Sequence, residues 1–560
     1  MKSMLKTLLR TSTLILALFS TSAFSLTFIE NVKGYTLDQQ GKLITFTNIA
    51  FEDEFIVGMN LSQEPGGIVT KIDGKGRVML PGLIDAHGHI LGLGQNLLEI
   101  DLRGTKSEDE AVKRVLEFVS AHALPKDNAK STNTQWLIGS GWNQVLWPSN
   151  AFPSKESLDA ALKDRPVVLS RVDGHAVWVN SAALKLAGID ANTPSPAGGE
   201  IVKDKNGQPT GVLIDNAESL VTKLIPAADV DQLSQQLNAA SEHLLSLGIT
   251  SVHDAGISKQ VYDFYQQQAQ SGDLKFRIYA MIAATDPQIN DMLAAGHITS
   301  KNDMLSIRSV KAYGDGALGS RGAALIEPYS DDKDNHGLLV TPQESLPSLF
   351  SQVLGANFQL NFHAIGDRAN RLALQQFAKT FKTFPENTQR HRIEHAQVVA
   401  VEDIPLFKEL GIIPSMQPTH ATSDMNMAED RIGKARLKGA YAWRTFLDQG
   451  SRIAFGSDFP VELANAFHGL HAAVTRQSSE NEPQMGWIPE EKVSVEDALR
   501  GFTLDAAYAA FQEDKLGTLE VGKRADFIFI DRDIFTGPAS DIRDTQVLET
   551  WINGQQVFAK

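Results

Sequence analysis

The sequence predicts a closed barrel of parallel strands and helices, flanked by a small β-domain and interrupted by a long insertion. Three observations predict it. Strand-like apolar runs alternate with helical patterns through the middle of the chain, as in parallel βα units. Several runs end in residue types that ligate metals or move protons: VMLPGLIDAHGHI in His87 and His89, SIRSVKAYGDG around Lys311, FQLNFHAIGD in His363, RHRIEHAQ in His395 and RIAFGSDFP in Asp458. Both ends of the chain carry short alternating runs separated by turns instead.

Taken in order, residues 1–25 read as a secretory signal peptide. Lys2, Lys6 and Arg10 precede an apolar stretch from Leu14 to Phe19, and TSAFS sets Ala23 and Ser25 at small-residue cleavage spacing. Cleavage is expected after Ser25. An uncleaved anchor is the alternative, but the stretch is too short for a comfortable span. GKLITFTNIAF, EFIVGMNL and IVTKIDGKGRV then read as strands, and ADFIFIDRD and VLETWINGQQVF return to the same pattern near the end. Neither group suffices for its own core, so residues 26–78 and 515–560 are expected to form one discontinuous β-domain.

Residues 79–514 hold the expected barrel. Its eight strands should end near Ala86, Asp254, Ala283, Tyr313, His363, Ala396, Met416 and Asp458, with helical patterns such as LSQQLNAASEHLLSLG and SLPSLFSQVLGA between them. The connection after the first strand is too long for an ordinary βα loop. Its residues, about 101–230, include the strand-like WLIGSGW and RPVVLSRVDGHAVWV and the Pro/Gly-rich NTPSPAGGEIVKDKNGQPTG. They read as an inserted subdomain on the active-site side.

Composition narrows the function. The chain is 42% apolar and 21% charged, with a net charge of -15, which is ordinary for a globular protein. An acidic surface argues against nucleic acid or an anionic membrane as partner. There is no cysteine, so disulfides, a lipoprotein anchor and thiolate metal ligands are excluded. A cysteine-free exported protein fits an oxidising bacterial periplasm. The expected partner is a small-molecule substrate, with self-association into a homo-oligomer left open.

The His-x-His spacing carries chemistry because alternate side chains on a strand share one face, so His87 and His89 can grip one ion together. Imidazole and carboxylate ligands suit zinc and its first-row neighbours. A hydrogen-bonded histidine pair at the barrel mouth is the plainer alternative. For Asp458 the alternatives are a proton acceptor pointing into the mouth, after a Gly456 that permits close packing, or a helix N-cap.

PGLIDAHGH, GITSVHDAG, VKAYGDGALGSRGAAL, HAIGDRAN, RIEHAQ, GSDFPV, FTLDAAYA and LGTLEVGKRADFIFID together resemble the amidohydrolase superfamily. The insertion pieces GWNQ and RVDGHAVWVNSAAL fit as well. The likeness is greatest to the branch of YtcJ-like and N-substituted formamide deformylase-like hydrolases. It covers nearly all of the chain after the signal segment. The resemblance implies a TIM-like (β/α)8 barrel holding one or two divalent ions, zinc first among them, and a β-sandwich built from both termini. It implies His87 and His89 as first-strand ligands, Lys311 as the bridging position, His363 and His395 as ligands of a second ion, and Asp458 as the catalytic carboxylate that also touches metal.

An ammonium cannot ligate a cation, so the resemblance implies that Lys311 is carbamylated, presenting an anionic carboxylate on a long stem. The alternative is an unmodified Lys311 paired with Asp315 or Asp458. Glu394 and Asp367 either orient ligands or pair with Arg392 and Arg368. His175, His253 and Trp142 are candidate substrate contacts or packing residues. Arg321 is a candidate for a substrate anion or a loop-bracing ion pair.

The expected activity is hydrolysis of a small amide-like, non-peptide C–N bond. Hydroxide made available at the metal would attack a polarised carbonyl while Asp458 shuttles the proton. Two rivals use the same residues differently: a lactonase or esterase on the same metals, and a catalytically silent periplasmic binding protein.

Overall fold

The computed structural model describes residues 26–66, 69–121, 136–171, 176–196 and 199–560. The expected signal peptide lies outside the described residues. At the centre is a barrel of eight parallel strands. They are β1 (Leu83–Gly88), β2 (Ile249–Ile257), β3 (Arg277–Ala283), β4 (Leu305–Tyr313), β5 (Gln359–Ala364), β6 (Arg392–His395), β7 (Ile413–Met416) and β8 (Ala454–Phe455). Each pairs in parallel with the next. Helices fill the connections. Val230–Ser246, which leads into β2, opens with a capping box between Asp229 and Gln232 and buries Leu233, Leu237, Ala240, Leu244 and Leu245 along one stripe.

The barrel closes where β8 returns to β1. Asp458 donates its backbone N–H to the His87 carbonyl at 2.7 Å, and His89 donates to that of Phe459 at 2.8 Å. Gly456 lies at this seam, where a Cβ would sit 2.5 Å from the His87 nitrogen. No larger residue lets the two strands meet.

Strands from both ends of the chain share one six-stranded sheet. Its order is Gln555–Ala559, Val547–Ile552, Phe527–Ile530, Val78–Pro81, Lys33–Leu37 and Leu43–Phe46. A four-stranded sheet of residues 26–73 faces it. The run FIFI shows why the central strand is apolar throughout: its two faces serve two cores. Phe527 and Phe529 join Phe51, Met79 and Trp551 inside the β-domain, whereas Ile528 and Ile530 enter the barrel core. Val78–Pro81 divides in the same way, Met79 to one side and Val78 and Leu80 to the other.

The insertion carries its own six-stranded mixed sheet, from Ile100–Asp101 to Gly199–Lys203. Period-2 alternation again splits its strands: Val167 and Leu169 pack with Trp142 and Trp178, and Val168 packs with Val177 and Val179 on the opposite face. Among the described residues no helix is long and apolar enough to cross a membrane.

Candidate metal centre at the barrel mouth

Six side chains singled out by strand position meet at the C-terminal end of the barrel. His87 is fully buried, and its Nδ1 lies 2.6 Å from Glu394 Oε2. The carboxylate fixes Nδ1 as the donor, so Nε2 is left bare toward the barrel axis. There it lies 3.1 Å from Lys311 Nζ and 3.6 Å from Asp458 Oδ1. His89 Nε2 approaches the same oxygen at 3.2 Å. His395 donates Nδ1–H to Gln417 Oε1 at 2.8 Å, and its ring meets that of His363 edge-on with centroids 4.4 Å apart.

This donor set fits a divalent ion. His87, His395 and Asp458 each bring one ligand atom to within 4.8 Å of the others. Asp458 Oδ1 and His363 Nε2 are buried without a hydrogen-bond partner among the described residues. Orphaned polar atoms are costly in a protein interior, and nitrogen and oxygen donors converging on one point suit zinc or a neighbouring metal.

The electrostatics agree. Burial, followed by the nearby Lys311 cation, lowers His87 and holds His363 down at about 3. Burial also keeps His395 well below its ordinary value. Neutral imidazoles are the ligating form. Burial alone would raise Asp458, but His87, His89 and His395 hold it well below the usual carboxylate range. Burial lowers Lys311 as well. Its Nζ faces His87 Nε2 and the Tyr313 ring and makes no ion pair among the described residues. The pairing with Asp315 does not form. Asp315 instead accepts from the backbone N–H groups of Ala324, Ile365 and Gly366, and burial pushes it up to about 7.

The backbone is strained here. His395, Ala396 and Asp458 have φ of 75°, 42° and 61°, a left-handed region that costs a residue bearing a β-carbon about 1–2 kcal/mol. Such strain collects where side-chain direction matters more than backbone comfort. The helix that follows β8 begins at Ala466 and is capped by Asn465, which removes the N-cap reading of Asp458.

Of the substrate-contact candidates, His175 lies outside the described residues, and the other three are otherwise engaged. Trp142 is fully buried in the insertion core, donating its indole N–H to the Leu169 carbonyl at 2.7 Å. His253 is sealed inside the barrel, its Nδ1 3.1 Å from the Arg392 guanidinium. Arg321 forms the loop-bracing ion pair, with Asp331 at 2.9 Å.

Sequence reasoning left Glu394 undecided between orienting a ligand and pairing with Arg392. It lies 2.6 Å from His87 but 3.8 Å from Arg392, so the ligand is its principal partner. Asp367 accepts from the Ile326 backbone at 2.8 Å. Gln417 and His420, beyond β7 in MQPTH, were not anticipated. Their signal was a glutamine directly after the β7 end and a histidine three residues beyond it, with no strand periodicity to point it inward. Asp85 was missed as well. It ties β1 to β8 by accepting from the backbone of His87 and Ser457 and from the Ser457 hydroxyl.

A barrel whose mouth gathers histidines, a lysine and an aspartate around vacant donor atoms defines a metal-dependent hydrolase. The model of the amidohydrolase family matches residues 70–558. The chain belongs to that family. It is similar to YtcJ of Bacillus subtilis (strain 168), at 33% identity over 87% of this chain and 90% of the relative. It is also similar to an N-substituted formamide deformylase of Arthrobacter pascens, at 26% identity over 86% and 89%. A solved metal-dependent hydrolase of Pyrococcus horikoshii OT3 superposes with a TM-score of 0.76 at 26% identity, covering 92% of this chain and 99% of that one.

Proposed function

We propose that this protein is an exported hydrolase of a small, non-peptide amide, with N-substituted formamides and other N-acyl amines as the leading substrate class. One observation carries the reading: His87, His395 and the anionic Asp458 converge within 4.8 Å at the open end of the barrel. The formamide deformylase among its relatives supports the substrate class.

His87, His89, His363, His395, Asp458 and a carbamylated Lys311 would hold one or two ions, zinc first among them. When bound, such an ion supplies Lewis acidity and lowers the pKa of a water toward about 7. Glu394 and Gln417 keep His87 and His395 turned with Nε2 inward. Asp458 accepts the proton of the attacking water and passes it to the leaving nitrogen, which departs as an amine. Lys311 is buried and without an ion pair among the described residues. Burial lowers its pKa and so favours the unprotonated form, which adds carbon dioxide and releases a proton, leaving an anionic carbamate that suits this cluster.

The test is a screen of zinc-loaded protein against formamides, N-acyl amines, cyclic amides and lactones, with released amine quantified. Amine release supports the reading, and hydrolysis confined to lactones overturns it. Export is tested separately by N-terminal sequencing. Protein from the periplasmic fraction should begin at Leu26, and a chain retained in the cytoplasm with Lys2 intact would refute it.

A further inference from the structure

We propose that His420 contacts the substrate directly, its Nε2–H hydrogen-bonding the scissile carbonyl oxygen as that oxygen gains charge. The inference rests on the amide-hydrolase reading above.

His420 is placed by the same short segment that orients a ligand. Gln417 holds His395 Nδ1, and the His420 backbone N–H bonds the Gln417 carbonyl at 3.1 Å as the helix Pro418–Asp424 begins. The His420 ring lies nearly parallel to that of His395, tilted by 13° with centroids 5.9 Å apart. It forms a tier beside the ligand rings.

The Nε2 atom is buried and has no hydrogen-bond partner among the described residues. It faces Asp458 Oδ2 across 3.8 Å, too far for a hydrogen bond. The two oxygens of Asp458 are therefore divided. Oδ1 faces His87 and His89 at 3.6 and 3.2 Å, and Oδ2 faces His420. The gap between Oδ2 and Nε2 lies away from the first-strand histidines, beside the oxygen free to deliver a proton to the leaving group.

A group bound there meets Asp458 and His420 together. The neighbouring carboxylate favours the tautomer with hydrogen on Nε2, so His420 presents a donor. A donor already desolvated and held by packing needs no reorganisation when the carbonyl oxygen becomes anionic, which is the arrangement that stabilises such charge most. His87 and His395 offer no N–H at this point, because their Nδ1 atoms carry the hydrogen and their inward nitrogens are bare.

Two substitutions separate contact from support. His420→Phe keeps a ring against His395 but carries no hydrogen-bonding atom, and His420→Gln keeps a side-chain N–H. On the best amide from the screen, His420→Phe should lower kcat by about 10²–10³-fold, the usual effect of deleting one oxyanion donor. KM should change only a few-fold, and His420→Gln should regain part of the loss. Zinc content and Tm should match wild type. Methylphosphonate, a tetrahedral anion, should bind zinc-loaded His420→Phe at least tenfold more weakly than wild type. Equal kcat and equal phosphonate affinity in wild type and His420→Phe would overturn the proposal. So would loss of zinc from His420→Phe, which would make His420 a ligand or a support for one. Weakened phosphonate binding in a protein whose wild type hydrolyses no amide would overturn the amide reading and uphold the contact.

Discussion

Buried charge is handled in opposite ways at the two ends of the barrel. At the N-terminal end Arg277, the first residue of β3, is fully buried and fully engaged. Its guanidinium donates to both oxygens of Asp526 at 2.7 and 3.0 Å, and to Asn553 and the Asn302 carbonyl. At the C-terminal end His363 Nε2 and Asp458 Oδ1 are just as hidden from water but have no hydrogen-bond partner among the described residues. A saturated buried pair locks the terminal sheet onto the barrel. An unsaturated cluster is held ready for what binds to it. Placement and chemistry are thus assigned to different ends of the same strands, as expected for barrels whose sites lie at the C-terminal face.

Asp458→Asn should separate the two ends most. Turnover should fall by about 10²–10⁴-fold while zinc content and Tm stay close to wild type, because the amide keeps an oxygen but cannot accept the proton. His87→Ala should lose zinc along with rate. Metal analysis and kinetics on the same samples decide the matter, and near-normal turnover by zinc-loaded Asp458→Asn would remove Asp458 from proton transfer.

Arg277→Leu should give the inverse pattern. It strands Asp526 without its cation, a loss of about 3–5 kcal/mol for a buried pair broken on one side. Denaturant midpoints would report it, while turnover per folded, zinc-loaded molecule stays unchanged. A matching fall in turnover would mean that the ends are coupled. A smaller effect is expected from Glu394→Gln, which removes the charge that orients His87. Zinc affinity should weaken by about 10–100-fold, read by competition with a chelator, without the stability loss of Arg277→Leu.

The barrel was legible because its strands end in chemically distinctive residues. Each observed end falls within three residues of the expected one, even for the two-residue β8, whose signal was the short run RIAF followed by GSD. What stayed hidden depended on which way a side chain turns. Adjacency in RIEH does not say whether Glu394 faces its neighbour Arg392 or, across the barrel, His87. Trp142 ends a glycine-rich strand and reads as a pocket residue, yet a bulge between Ser140 and Trp142 turns it into the insertion core beside Leu137. His420 lies on a helix, so the period of two that exposed the other histidines does not apply to it.

The prediction furthest from the chemistry concerns a histidine that is buried for packing and takes no part in the site. His391 precedes β6, and its Nδ1 accepts the Leu360 backbone N–H at 3.0 Å. Its ring packs against Phe377 and Phe381. Burial holds its pKa down at about 3. The unfolded chain takes up a proton here below about 6.5, whereas the folded chain stays neutral until about 3. Between those values the unfolded state binds more protons, so acidification favours unfolding. The contribution is complete above pH 6.5 and is lost toward pH 3 at up to about 1.4 kcal/mol per pH unit. His363, also near 3, adds the same sign when zinc is absent, so wild type and variant are compared in chelator. Urea midpoints at pH 7, 6, 5 and 4 should fall less steeply for His391→Gln, whose amide oxygen can still accept from Leu360. The slope is the readout, because the substitution also shifts the midpoint at every pH. Identical slopes would mean that His391 takes up its proton in the folded protein as readily as in the unfolded chain.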